Sequence, residues 1–425
     1  MPAHQTGTLP SGDVALHCRG LGAPGAEAAR AFQLTRVPPG FIDDPYPYYA
    51  ALRVHDPVHE LEAGGVFLSR YEDALAVYRN PQASSDKKEE FRPKFGDSPL
   101  YEHHTTSLVF SDPPLHTRVR RLMMGALNQR AIAKMEADAI ALVDRLLARM
   151  GEAREADLIA DFALQIPLEV IGNLLAIPRA ERGPLREWSI AILSGLEPAP
   201  SAELLARGNR AVSEFKDYLR GLAAARRQAP GDPEIDVLTR LIQGGKDGEQ
   251  LTENELYHNC IFMLNAGHET TTNLLGNGTW LLLKNPGELA RLRADPGLLN
   301  TAIEEMLRFE GPIQLNNRRL AAPMDLGGRR LPSGTYITIG IGAANRDPHQ
   351  FPDAERFDIG RKPNRHLTFG QGEHACSGMN VARMEARIAL GRLLERFANI
   401  ELAGEPERDR RIRFRGFRRL PVRVS

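Results

Sequence analysis

The stretch His366-Leu-Thr-Phe-Gly-Gln-Gly-Glu-His-Ala-Cys-Ser-Gly-Met-Asn380 decides how this chain is read. Within it, Gly370-x-Gly372-x-x-Ala375 matches a dinucleotide-binding fingerprint between an apolar segment and a helix, with Glu401 in the next strand-like run. Against that reading, the helical pattern that follows, about 377–397, is longer than a βαβ crossover needs, and the sequence after it holds too few residues for the remaining parallel strands. Two readings of Cys376 are left. It is either a buried small hydrophobe beside a glycine turn or a metal ligand at the N-terminus of a long helix, where free N–H groups and the dipole favour a thiolate. Glycines at 370, 372 and 378 let the backbone pass close to a flat ligand without Cβ clashes. Phe369 can cover the sulfur and His374 can donate to a carboxylate. One thiolate on an extended flat cofactor is haem ligation.

Outside the loop, the 425 residues are 42% apolar and 25% charged, the composition of an ordinary globular protein. Fifty-four basic residues balance fifty-four acidic ones. No global positive field is available to hold nucleic acid or an anionic membrane. The three cysteines, Cys18, Cys260 and Cys376, are too few for a disulfide framework and point to a reducing, cytoplasmic setting. No run approaches the roughly 18 apolar residues of a membrane span, and the first residues lack the basic-then-apolar order of a signal peptide. Residues 1–35, rich in Gly, Ala, Pro and Thr, are expected to form a loosely ordered leader. From Asp44-Pro45 onward helical periodicity dominates, with an early hairpin around Gly64-Gly65 and an alternating strand pattern from Tyr336. The expectation is one mainly α domain with a smaller β region over residues 36–425, not the several domains that length alone suggests.

Three further segments carry candidate chemistry. In Asn265-Ala266-Gly267-His268-Glu269-Thr270-Thr271-Thr272, glycine and a buried glutamate are both costly inside an apolar helix. A local opening of the helical hydrogen-bond ladder would admit water and expose Thr270. His268-Glu269 begins an H-E-x-x-H zinc motif, but position 272 is threonine and the motif fails. For Thr271 and Thr272, hydroxyls bonding back to the helix backbone are a competing reading. Glu305 and Arg308, three apart, share a helical face, and His116 and Arg120, four apart, project toward one anion.

The pattern Phe369-Gly370-x-Gly372-x-His374-x-Cys376-x-Gly378 resembles the haem-binding loop of the cytochrome P450 family, with Ser377 where the family more often carries an aliphatic residue. Ala266-Gly267 followed by Glu269-Thr270 looks like the family's oxygen-activating segment. Glu305-x-x-Arg308, with Pro312 and Arg318 after it, looks like its structural ion pair, and Asn345-Arg346-Asp347-Pro348 and 351–357 resemble the segment that locks against that pair. Asp112-Pro-Pro-Leu-His116 through Arg121 resembles its propionate-binding helix. The matches occur in family order across roughly residues 36–425. The resemblance implies the P450 fold, with haem b between the oxygen-activating helix and the cysteine-ligand helix. Cys376 would be the iron ligand, with Ala266, Gly267, Phe369, Gly370 and Gly378 against the ring. His116, Arg120, Arg318 and His374 would hold the propionates, and Glu269 and Thr270 would relay protons.

The implied activity is insertion of one oxygen atom from O2 into a small or medium apolar substrate. No flavin or iron–sulfur motif is present in the sequence, so two electrons would come from a separate ferredoxin and NAD(P)H-dependent reductase. Arg118, Arg121, Arg365 and Arg383 could form their docking patch, or simply a solvated face. A monomer is expected. By the same resemblance, Ser107, Leu108, Val109, Met263, Ile313 and Leu315 face substrate, with Asn265, His103, His104 and Asn316 as polar exceptions. The alternatives are a haem-binding sensor and a peroxide-dependent or non-oxygenating member of the same family.

Overall fold

The axis of the molecule is a 32-residue helix, Glu253–Lys284. Thr252 starts it with a reciprocal capping box: its hydroxyl accepts from the Glu255 N–H at 3.3 Å, and the Glu255 carboxylate accepts from the Thr252 N–H at 2.9 Å. Leu256, Cys260, Ile261, Leu264, Leu274, Leu275, Leu281 and Leu282 bury its flanks on several sides. A helix buried all round is a core element. Helices Gln165–Leu174, Leu185–Ser194, Ala202–Gln228 and Met379–Arg396 pack around it. This computed structural model describes residues 25–425 apart from Asn128, Lys246 and Asp247.

The β region is smaller, as expected. Its five-stranded sheet runs in the order Val58–Glu60, Val66–Leu68, Tyr336–Gly340, Leu315–Leu320 and Ala83–Ser84. Only the contact between Val66–Leu68 and Tyr336–Gly340 is parallel. Tyr336–Gly340 also pairs antiparallel with Leu315–Leu320, which sets Arg318 opposite Ile337. A three-stranded sheet joins Glu155–Asp157, Pro421–Val424 and Ile400–Leu402. Near the C-terminus, Glu407–Arg408 pairs with Phe417–Arg419, so residues 409–416 form the tip of a hairpin.

The helix expected over about 377–397 is Met379–Arg396, and helices dominate from Tyr46 onward as expected, among them Tyr71–Arg79, Leu115–Ala126 and Ala202–Gln228. Three differences have physical causes. Residues 1–24 of the expected leader lie outside the described residues, and order begins before position 36: Gly25–Arg30 is helical, and Phe32 is buried against Phe41, His59 and Phe67. An apolar residue with a ready aromatic cluster overrides a Gly/Ala-rich composition. The stretch around 91–110 contains two short helices, Lys88–Phe95 and Pro99–Thr106, whose mixed polarity hides their periodicity. A π-helical turn, Leu158–Ala163, precedes Gln165–Leu174, a break that apolar periodicity does not report.

Candidate active site

The cysteine loop is closed by its own backbone. The Cys376 N–H donates to the Phe369 carbonyl at 2.8 Å, and the Gly370 N–H donates to Leu367 at 2.8 Å. Gly370 and Gly372 have φ of +64° and +71°, conformations that favour glycine. At Gly372 a Cβ would also lie 2.5 Å from the Tyr78 carbonyl oxygen. Gly378 caps the helix Met379–Arg396, so Cys376 sits two residues ahead of that cap, at the positive end of the helix dipole. Burial pushes the thiol up; a Gly378 backbone N–H, Arg120 and Arg383 act in the opposite direction and favour the thiolate. The Arg383 guanidinium lies 4.7 Å over the Phe369 ring.

Four donors come together at this loop: His374 from the loop itself, His116 and Arg120 from the helix Leu115–Ala126, and Arg318 from the strand Leu315–Leu320. The rings of His116 and His374 are 4.0 Å apart. Arg120 donates to the Ala375 carbonyl at 2.8 Å. Arg318, brought in by its strand, is buried over the Tyr78 ring and donates to Asn316 and Asn317. Burial, then Arg318, His116 and Arg120, push the His374 imidazole down to about 3. Among the described residues none of the four makes an ion pair, and both ring nitrogens of His116 are buried without a partner. A buried set of donors with no carboxylate paired to it is incomplete by itself. A ligand with two carboxylates completes it, and that is what haem carries; the residues present fit the group.

On the long helix the predicted residues separate by face. Ala266 is exposed and Thr270 half-buried on a helix otherwise packed on its flanks, and spacing of four puts them on one side. Gly267 faces elsewhere: a Cβ there would lie 2.7 Å from Ile171 Cδ1, so this glycine admits the helix Gln165–Leu174. The expected opening of the helical ladder is absent, because Glu253–Lys284 runs unbroken. Thr270 Oγ1 donates to the Ala266 carbonyl at 2.7 Å, and Thr272 donates to His268 at 2.9 Å. Glu269 points to the C-terminal hairpin, where it is ion-paired with Arg411. Sequence reasoning missed Arg411. The one available signal was the density of arginine in Arg410-Arg411-Ile412-Arg413-Phe414-Arg415. It also missed Glu385, buried with its carboxyl pushed up to about 8 by burial, the Thr271 hydroxyl opposing.

Glu305 and Arg308 meet as expected. Both side chains are 0% exposed, with Nε to Oε2 at 2.8 Å. Arg308 also donates to the carbonyls of Asn345 and Ala354 at 2.9 Å each, and Glu305 accepts from Arg361 and Asn364. Residues 345–361 thus lock on the pair, which satisfies both buried charges. The substrate candidates divide. Val109 and Ile313 keep partial exposure, and Met263 is buried. Asn265 Nδ2 reaches His103 Nε2 at 3.5 Å, and Asn265 Oδ1 is buried and unpartnered. Ser107, Leu108 and Leu315 are buried to 1%, 3% and 1% exposure. Leu108 and Leu315 lie in apolar clusters, and the Ser107 hydroxyl donates to the His104 carbonyl. The proposed basic patch is partly neutralised: Arg118 pairs with Glu255, Arg121 with Glu249 and Arg383 with Glu304. Among the described residues no helix is long and apolar enough to cross a membrane.

The family model described as Cytochrome P450 matches residues 200–423. Cytochrome P450 107B1 of Saccharopolyspora erythraea is 37% identical over 404 residues, covering 90% of this chain and 96% of that protein. The vitamin D(3) 25-hydroxylase of Pseudonocardia autotrophica is 35% identical over 367 residues, covering 85% and 89%. Among solved structures, the myxobacterial cytochrome P450 CYP267B1 in complex with myristic acid superimposes with a TM-score of 0.84 at 36% identity, covering 91% of this chain and 98% of that one. With its cysteine loop, its donor cradle and these relatives along nearly its whole length, the chain belongs to the cytochrome P450 family as a bacterial-type haem-thiolate monooxygenase.

Proposed function

We propose that residues 36–425 form one unit that binds haem b and inserts one oxygen atom from O2 into a small or medium apolar organic molecule. The observation that carries the reading is the meeting of a half-buried thiol ahead of a helix N-terminus with four donors that make no ion pair among the described residues. Cys376 is the iron ligand in this reading, and His116, Arg120, Arg318 and His374 hold the two carboxylates. When bound, the haem supplies the dioxygen chemistry, its thiolate ligand favouring O–O cleavage. The protein's own share is to orient substrate and move protons. Phe369 and the glycines at 370 and 378 shape the loop around the sulfur, and Ala266 leaves room on the opposite helix. Thr270 holds a water by its hydroxyl, and Glu269 supplies that water with a proton. Val109, Met263 and Ile313 give an apolar lining, with Asn265 as a polar anchor. A vitamin D(3) 25-hydroxylase and a structure in complex with myristic acid among the relatives support an apolar substrate class.

Two electrons reach the site from a ferredoxin served by an NAD(P)H-dependent reductase, in the cytoplasm, to a monomeric enzyme. Arg118, Arg121, Arg365 and Arg383 are the proposed contact. A reduced carbon-monoxide complex tests the ligand: a red-shifted Soret band is expected, and its absence would remove Cys376 from the role. A panel of fatty acids and sterols, followed by the Soret shift as water leaves the iron, tests the substrate class. The ion-paired state of Glu269 favours one second reading, turnover driven by hydrogen peroxide. Product formation from NAD(P)H and O2 in the presence of catalase would decide against it.

A further inference from the structure

Glu269 does not face Thr270. Consecutive helix residues point about 100° apart, and the Glu269 carboxylate lies against the tip of the C-terminal hairpin, paired with Arg411. Arg411 is a bridging cation, since its Nε also donates to Asp409 Oδ2 at 2.8 Å. The pair is enclosed, with side-chain exposures of 12% for Arg411 and 6% for Glu269. Burial draws the guanidinium down to about 10, Glu197 opposing, so it stays charged at neutral pH. One atom on each side is buried without a partner, Glu269 Oε2 and Arg411 Nη1. A carboxylate satisfied on one oxygen only is fixed in direction while keeping a free acceptor.

The hairpin tip is itself anchored. The Glu197 carboxylate accepts from the Ile412 N–H at 2.9 Å and from the Arg413 N–H at 3.3 Å. Arg413 donates to the carbonyls of Leu196 and Leu315 and to Asn317. The Gln314 N–H donates to the Arg413 carbonyl, and Ile313 bridges to Phe414. Arg411 therefore projects from a segment clamped between the loop after Leu185–Ser194 and the strand Leu315–Leu320.

We propose that Arg411 is a positioning residue for the proton relay: it holds Glu269 as a carboxylate against the hairpin tip, and proton delivery to the water at Thr270 requires Glu269 to leave it. This rests on the reading of Glu269 and Thr270 as the relay. On release the carboxylate takes a proton from bulk water and passes it to the water at Thr270; no electrons move and Arg411 keeps its own proton. Because the tip is bonded to the segment carrying Ile313, a substrate that displaces that segment would also loosen Arg411.

The test separates the contact from the relay. Infrared difference spectra of the holoprotein against Glu269→Gln, taken across pH, assign the Glu269 carboxyl. Arg411→Gln is expected to raise its protonation midpoint by about one pH unit, a tenfold change in protonation, and Arg411→Lys to restore most of the shift. An unchanged midpoint in Arg411→Gln overturns the proposal. If that variant loses the red-shifted carbon-monoxide band, the neutral Arg411→Met carries the test instead with the same expected rise, and an unchanged midpoint there overturns the proposal. The relay is read separately, by NAD(P)H oxidation without added substrate in H2O and D2O. Glu269→Gln should slow it on the order of 10²-fold and change the solvent isotope effect. If both stay as in the parent, the relay reading falls while the infrared result still judges the Arg411 contact. Adding Arg411→Gln to Glu269→Gln should change nothing further in rate or isotope effect. Additive losses would mean that Arg411 serves the fold of the hairpin and would overturn the positioning role.

Discussion

Thr270 spends its hydroxyl on the Ala266 carbonyl at 2.7 Å in this structure. That bond must exchange for one to water before the residue can hold a proton path. Thr270→Ala is therefore expected to increase hydrogen peroxide released per NAD(P)H consumed, whereas Thr270→Ser, which keeps the hydroxyl, should stay near the parent. Peroxide and product measured together check this, and unchanged coupling in the alanine variant would remove Thr270 from the relay. Gly372 makes a second demand at this scale. Its positive φ and the Tyr78 carbonyl 2.5 Å from a would-be Cβ leave no room for a side chain. Gly372→Ala should cost about 1–3 kcal/mol of stability and lower haem retention, measured as the ratio of Soret to protein absorbance after gel filtration. These requirements were legible in the loop motif. The partner of Glu269 was not, because Arg411 lies 142 positions along the chain and no periodicity links the two.

Between elements, the seam of Pro99–Thr106 with the long helix holds three buried histidines. His103 has ring centroids 5.0 Å from His104 and 5.6 Å from His258. His104 also sits among Phe91, Phe95 and Phe110. Burial pushes His104 down to about 3, with Lys94, His258 and Arg413 adding to it. Burial pushes His258 down to about 4, although Glu102 pulls the other way. A histidine held neutral stabilises the fold fully above its unfolded value near 6.5 and loses that contribution as pH falls toward the folded value. Stability should fall from about pH 6.5 to 4 by roughly 1.4 kcal/mol per pH unit for each histidine involved. Thermal melts across pH check the slope, and His104→Phe, which suits its aromatic cage, should flatten it. The pair Glu305–Arg308 makes the opposite kind of contact, a fully enclosed and fully satisfied one. Arg308→Leu strands the Glu305 carboxylate and should cost about 3–5 kcal/mol in urea denaturation. The spacing of this pair was legible in sequence; its complete burial depended on the segment 345–361 folding back over it.

Across the whole molecule, Glu310 joins the two ends of the described chain. Arg415 donates to its carboxylate at 2.6 Å and also to the carbonyls of Ile42 and Asp43, while Arg408 approaches at 2.8 Å. Burial alone would raise the Glu310 carboxyl, but Arg415, Arg408 and Arg346 outweigh it and hold it at about 2. A depressed carboxylate contributes stability above its unfolded value and loses it as pH falls through the folded one. Acid unfolding should therefore draw on this clasp between about pH 4.5 and 2. Glu310→Gln should remove that part of the acid limb, and at pH 7 it should cost about 3–5 kcal/mol by leaving buried arginines short of a counter-charge. Hydrogen exchange around Ile42 should rise with it, and exchange unchanged there would separate the clasp from the N-terminal segment.

The local signals were those that a single helix or turn can carry. Glycines at a tight loop, a cysteine ahead of a helix, charged pairs three or four apart and an apolar period of 3.6 each depend on residues within a turn or two. These determined the mainly helical class, the long axial helix, the cysteine loop and the Glu305–Arg308 pair. The tertiary structure alone decided which distant groups share a space. It brought Arg318 to His116 through sheet register and Gly267 to Ile171 through helix packing. It also turned Glu269 toward Arg411 through a hairpin tip. Those contacts are set by desolvation and close packing, which depend on the surroundings of a residue in space, and neighbours in sequence carry no record of them.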